Sequence, residues 1–181
     1  MPEDPIAKNL RRQFDSTVEQ RVERLKALDY KRIIGGHFFA AASTECLELY
    51  RDGYMIGTIM CAQALIQAIL RFAADRNGLP SKLRTEEQIQ KLEEASVISS
   101  ISAQCSKEAW THRNDFHHLN PGVASIDLGP KAAVCVQAVT SLESDIFDFE
   151  TIQGKIKPKY TIYWDENPDG TVPAYIRNLD A

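Results

Sequence analysis

What this 181-residue chain lacks narrows it first. Its four cysteines, Cys46, Cys61, Cys105 and Cys135, are widely spaced and form no Cys-x-x-Cys pair, which argues against zinc held by cysteine and for free thiols packed among apolar residues. No uninterrupted apolar run reaches the roughly 18 residues of a membrane span, so no membrane crossing is expected. The start, Met1-Pro2-Glu3-Asp4-Pro5, has neither the basic residues nor the apolar stretch of a secretory signal, and a cytoplasmic location is the expectation. Positive charge is in deficit: 21 lysines and arginines against 25 acids give −4 and a pI near 5.6. No overall field therefore draws the chain to a polyanion, and any contact with nucleic acid must be local. There is no internal repeat and no low-complexity segment.

What is present reads as helix. A hydrophobic share of 44% in a chain of this length suffices to bury one core without disulfide or metal staples. From Ile6, the apolar residues Leu10, Phe14, Val18, Val22, Leu25 and Leu28 recur every three or four positions, which predicts an amphipathic first helix over 5–28. Gly35-Gly36 interrupts the pattern, and a second helix is expected over 38–50, closing at Asp52-Gly53. From Tyr54 to Ala74 nearly every face is apolar, with Thr58, Gln63, Gln67 and Arg71 as interruptions, which predicts a central bundle helix ending at Asn77-Gly78. Thr85-Glu86-Glu87-Gln88 reads as a capping box opening a helix that carries Ile89, Leu92, Ser96 and Val97 inward and ends near Ser99-Ser100. One further helix is expected over 102–119, stopped by Pro121-Gly122, and a last long one from Pro130 through Val136, Val139, Leu142, Ile146 and Phe149.

Beyond Gly154 the pattern turns to β: Tyr160, Ile162 and Trp164 alternate with Thr161 and Tyr163, and Thr171–Ile176 follows Asn167-Pro168-Asp169-Gly170. The expected fold class is an all-α helical bundle of about five to six helices with a short C-terminal extended arm or β-hairpin. Its expected parts are an N-terminal amphipathic helix and linker over 1–37, the bundle over 38–152 and the arm over 153–181. So short an arm cannot form its own core and is expected to pack on the bundle or on a neighbouring subunit.

The segment Trp110–Pro121 holds the chemistry. Of the four histidines, His112, His117 and His118 fall within seven residues, His37 standing apart, and they share the segment with Arg113 and Asn114. Imidazole, with an ordinary pKa of about 6.5, suits proton transfer near neutrality. A guanidinium grips phosphate oxygens in bidentate fashion.

Arg113-Asn114-Asp115-Phe116-His117-His118 resembles the Arg-x4–6-His motif of HEPN domains, all-helical proteins in which a polar residue often follows the arginine, as Asn114 does here. The order of elements over about 38–150 matches as well. The resemblance implies a homodimer whose two motif segments face each other across a groove, and a metal-independent endoribonuclease acting as a toxin or defence effector. It assigns His118 as general base or acid, Arg113 as phosphate clamp and Asn114 as the positioning group, with His112 and His117 within reach of substrate. RNA is the implied substrate, an antitoxin or regulatory protein a possible partner, and no cofactor or metal is called for. Cleavage without metal needs a base at the 2′-OH, a cation on the developing phosphorane and an acid at the leaving 5′-oxygen. Two facing protomers supply the two imidazoles that one concerted step requires.

Plainer readings stand beside it. On a regular helix positions five apart diverge by about 140°, so His117 rather than His118 lies over Arg113. Arg113 also suits carbonyl capping or pairing with Asp115 or Glu108, and Trp110 and Phe116 suit core or dimer contacts. Metal binding by His112, His117 and His118 ranks third, because their spacing lacks the i, i+4 imidazole pair. Glu143, Asp145, Asp148 and Glu150 read as a solvated acidic face, and the basic strip Lys155, Lys157 and Lys159 reads as a solvated linker ahead of the alternative that it holds RNA backbone. The alternative to the nuclease is a non-catalytic helical binding or dimerisation module.

Overall fold

The computed structural model describes residues 4–35, 38–165, 167–168 and 171–179; Gly36, His37 and the Asp169-Gly170 half of the expected turn lie outside them. Seven α-helices among the described residues make a mostly α bundle with short strand pairs: α1 (Pro5–Lys26), β1 (Ile33–Gly35), α2 (Ala40–Asp52), α3 (Met55–Arg76), α4 (Thr85–Glu94), α5 (Ser100–Trp110), α6 (Arg113–His118), α7 (Leu128–Ile146), β2 (Phe149–Ile152), β3 (Lys155–Pro158) and β4 (Ala174–Ile176).

The all-round apolarity of α3 places it at the centre. Ile59, Ala62, Leu65, Ile66, Ile69, Leu70, Ala73 and Ala74 are buried, and α2, α4, α5, α6 and α7 all pack on it. Each large aliphatic side chain so buried contributes about 1.5–3 kcal/mol relative to exposure. By length and composition alone α3 is long and apolar enough to cross a membrane, with a mean hydropathy of 1.5 over its most apolar window, which corrects the expectation that no such segment exists. Its polar interruptions had hidden it; here its buried faces meet protein. The end at Asn77-Gly78 is as expected: Asn77 caps, its amide donating to Ala73 O at 2.7 Å, and Gly78 takes φ +66°. The long final helix α7 runs against both α3 and α5, burying Ala132, Cys135, Val136, Ala138, Val139, Leu142 and Ile146.

Four local expectations change. The capping box does not form: Arg84 is the N-cap of α4, and Thr85 sits one residue inside, buried, accepting from Gln67 Nε2 at 3.3 Å. The chain leaves α4 at Glu94, so Ser96, at φ +57°, is exposed outside the helix, and Ile98 rather than Ser96 fills the core. Helix α7 opens two residues before Pro130, capped by Asp127 onto Gly129 N at 3.3 Å, and stops before Phe149, which starts β2. The short C-terminal arm is there as expected, but its two β-favouring stretches do not pair with each other among the described residues, and two other pairings form. One is local, β2 with β3, around Gln153-Gly154 at φ +51° and +76°, a turn whose twist suits a two-residue hairpin. The basic strip thus lies in and after a strand, with Lys159 paired to Asp148, and is not a linker. The other joins distant ends, β1 antiparallel to β4 with Ile34 opposite Tyr175.

Tyr160, Ile162 and Trp164 alternate as a strand would, yet Thr161–Tyr163 is a 3₁₀ turn. Tyr163 and Trp164 are consecutive and both buried, which a two-residue alternation forbids. They complete an aromatic cluster: Tyr163 lies 6.2 Å from Phe72, and Trp164 lies 6.4 Å from Phe147 and 6.3 Å from Phe149. The arm therefore packs on its own bundle. Its lock is Arg177, 1% exposed, whose Nη2 donates to both carboxylate oxygens of buried Glu143 at 2.7 and 2.9 Å and to Ser43 Oγ at 2.6 Å, while Nε donates to Thr44 Oγ1 at 3.1 Å. Glu143, grouped by sequence with a solvated acidic face, is thus an interior ion-pair partner.

Candidate functional site

The helix expected over 102–119 is two helices. α5 ends at Trp110, His112 takes the left-handed conformation at φ +60°, and α6 starts at Arg113. A non-glycine residue in that region is costly, so the break needs outside support. It comes from the carbonyls that the break frees. Gln63 Nε2 on α3 donates to Ala109 O at 2.8 Å, and Lys131 Nζ on α7 donates to Glu108 O and to Thr111 Oγ1. Neither Gln63 nor Lys131 stood out in sequence as part of the site. Gln63 left one trace, as a polar interruption in the most apolar helix.

At its other end, α6 closes at Leu119 with φ +48°, and Asn120 N donates to Asp115 O at 2.9 Å. Asp115 ties both ends together: one carboxylate oxygen accepts from Asn120 Nδ2 at 3.0 Å, and the other lies 3.2 Å from His112 Nδ1. These bonds, Asn120 first and His112 second, hold its carboxyl below the usual range. His112 and Asp115 thus brace the segment. Phe116, fully buried, pins α6 into the core and gives no platform for a base.

Restarting the helix at Arg113 sets its side chains in two columns one turn apart, Arg113 under His117 and Asn114 under His118. Arg113 Nη1 donates to Asn114 Oδ1 at 3.2 Å, linking the columns, and the guanidinium lies 5.5 Å over the Trp110 ring. Among the described residues neither Asp115 nor Glu108 forms an ion pair with Arg113, whose contacts are Asn114 and the Trp110 ring. Asn114 and His118 are exposed, and Arg113 and His117 are partly buried. Two polar atoms in this cluster, Arg113 Nε and His117 Nε2, are buried without a hydrogen-bond partner. Burial first, then the charges of Arg113 and His118, push His117 below the ordinary imidazole value, which favours its neutral form.

The segment brings a cation, an amide and two imidazoles onto one exposed edge, the set needed to hold a phosphate and move protons beside it. No three His, Cys, Asp or Glu side chains converge as a metal site would need among the described residues. An open cleft of about 470 Å³ lies elsewhere, lined by Glu93, Ser99, Asp145, Asp148 and Tyr160, and its acids suit no phosphate. All four cysteines are free, Cys46 and Cys135 fully buried, and burial pushes the Cys135 thiol up to about 12. No protein-family model, no curated protein and no solved structure matches this chain, so its own residues carry the functional reading.

Proposed function

We propose that the chain is a metal-independent endoribonuclease of HEPN type, acting in the cytoplasm as a toxin or defence effector and cleaving RNA to 2′,3′-cyclic phosphate and 5′-hydroxyl ends at a site shared by two copies. The observation that carries the reading is the pair of linked columns on α6, with Arg113 bonded to Asn114 and the two histidines one turn above them. In this reading Arg113 clamps the scissile phosphate, Asn114 holds the guanidinium in place, and His118, exposed at the end of α6, transfers the proton. His117 and His112 contact substrate, the neutral His117 ring accepting a hydrogen bond from ribose or base. A second copy would bring a second imidazole, so that one serves as base and the other as acid. An antitoxin or regulatory protein would cover the same edge.

The test is purified protein with mixed RNA in excess chelator, scoring cyclic-phosphate ends. Wild type and His117→Ala should cleave, the latter with weakened substrate binding, whereas Arg113→Ala and His118→Ala should not. Loss of cleavage in His117→Ala alone would transfer the proton-transfer role to His117.

The acidic balance, −4 overall, favours one competing reading: a non-catalytic module that uses this edge to bind a protein or to dimerise. Wild type that forms dimers yet leaves every RNA intact would select it.

A further inference from the structure

Helix α1 carries a face that the rest of the described fold leaves uncovered. Ile6, Leu10, Phe14, Val18 and Val22 follow one another at four-residue steps and remain 69, 61, 50, 38 and 41% exposed, with the Arg21 guanidinium 4.7 Å from the Phe14 ring centroid. No residue of α1 is buried. The helix is held at its C-terminal end: Arg24 Nη1 donates to Arg51 O at 2.8 Å, Arg21 pairs with Asp52 at 3.4 Å, and Leu25 and Leu28 pack on the core. Before Arg21, every described residue is exposed except Ala7 and Thr17, which are half-buried. A helical stretch of that length is marginal in water without packing. Five large apolar side chains in one ridge also exceed the scattered exposure that needs no explanation.

We propose that α1 pairs antiparallel with α1 of a second copy of this chain, about a two-fold axis passing at Phe14. Three features of the helix fit that occupant. First, a ridge at i, i+4, i+8 is the one that interdigitates with its own copy in the commonest helix-packing class, crossing at about −50°. Second, the ridge is centred on Phe14: in the antiparallel register Leu10 meets Val18 and Ile6 meets Val22, a larger side chain against a smaller one each time, and Phe14 meets itself. Third, charge is sorted along the helix. One flank carries Lys8, Arg11 and Arg12 and then Asp15, Glu19 and Glu23, while the other carries the uncharged Asn9, Gln13, Ser16 and Gln20, with Arg21 and Arg24 on that side turned to Asp52 and to Arg51 O of the bundle. Antiparallel pairing lays the basic half over the acidic half twice; parallel pairing sets the charged flank of one copy beside the uncharged flank of the other and gains no such contact. The pairing uses no residue of the 113–118 segment and stands whether or not that segment cleaves RNA.

Site-specific cross-linking of the full chain under mild oxidation tests the register. Ile6→Cys mixed with Val22→Cys should give a covalent dimer on a non-reducing gel, and Phe14→Cys alone should do the same. Ile6→Cys alone should not, because its two copies would sit about 24 Å apart at 1.5 Å per residue; wild type sets the background from the four native thiols. Cross-linking of Ile6→Cys with itself as efficiently as with Val22→Cys overturns the antiparallel register. No cross-link in any mixture, or cosedimentation with phosphatidylserine vesicles in place of cross-linking, overturns self-pairing. In sedimentation, the Leu10→Glu, Phe14→Glu double variant should show half the mass of wild type with Trp fluorescence unchanged; an unchanged mass overturns the proposal. Arg113→Ala should cross-link like its parent, which separates this interface from the site that would act on RNA.

Discussion

Removing the Arg177 side chain should unfasten the C-terminal arm and cost about 3–5 kcal/mol, the range for breaking a buried ion pair from one side. The pair is dry at both ends, with side-chain exposures of 0% for Arg177 and 5% for Glu143, so solvent screening does not discount it. Arg177→Ala deletes two charge-assisted bonds to Glu143, the bonds to Ser43 and Thr44, and the packing of the longest fully buried side chain. What remains is a buried carboxylate that has lost its guanidinium, and that loss is the larger part of the cost. Against a total stability of about 5–15 kcal/mol for a domain, the loss is large enough to read in a urea melt. Replacing both partners, Arg177→Met with Glu143→Leu, should recover most of it, because no charge is then left unpaired. A double-mutant cycle gives the coupling directly. Released β4 should also exchange its amide protons faster, since Arg177 N donates to Arg32 O at 2.8 Å at the end of the β1–β4 pairing. A loss under about 1 kcal/mol for Arg177→Ala, the level of an exposed pair, would refute the reasoning.

Three further outcomes follow from other contacts. Gly35→Ala would set a Cβ 1.9 Å from the Trp164 ring, so the ring must move; we expect a loss of about 1–3 kcal/mol from overpacking and a red-shifted Trp emission. Ser99 caps α5 by accepting from Ser102 N at 3.2 Å, and Ser99→Ala should cost about 1 kcal/mol in a denaturant melt. His117 should titrate below the ordinary imidazole value in an NMR pH series, and Arg113→Ala should move its midpoint upward. Because the folded state then binds fewer protons than the unfolded one, this histidine makes stability fall as pH drops below about 6.5 toward the depressed folded value; burial is the larger cause of the depression, and a midpoint unmoved by Arg113→Ala would contradict the part assigned to the guanidinium.

The sequence made long-period features legible and hid whatever depended on a distant partner. Helix α3 could be read because its apolarity and its Asn77-Gly78 stop are local. The break at His112 could not: no glycine or proline marks it, and the carbonyls it frees are taken up by Gln63 and Lys131 from two other helices. The arm misled for the same reason, since the alternation through Tyr160, Ile162 and Trp164 mimics a strand while the aromatic cluster requires Tyr163 and Trp164 inside together. Strand β1 is three residues long and acquires meaning only from β4, about 140 positions later. At the site, the cluster of Arg113, Asn114, His117 and His118 was visible, and so was the four-residue step that sets His117 over Arg113; the break that starts their short helix at Arg113 was not.

The most direct measurement of the nuclease proposal is end-group analysis of RNA incubated with the purified chain in excess chelator, beside Arg113→Ala and His118→Ala. The account predicts 2′,3′-cyclic phosphate and 5′-hydroxyl ends from wild type and intact RNA from both variants. Intact RNA from folded wild type, or cleavage that survives Arg113→Ala, would contradict it.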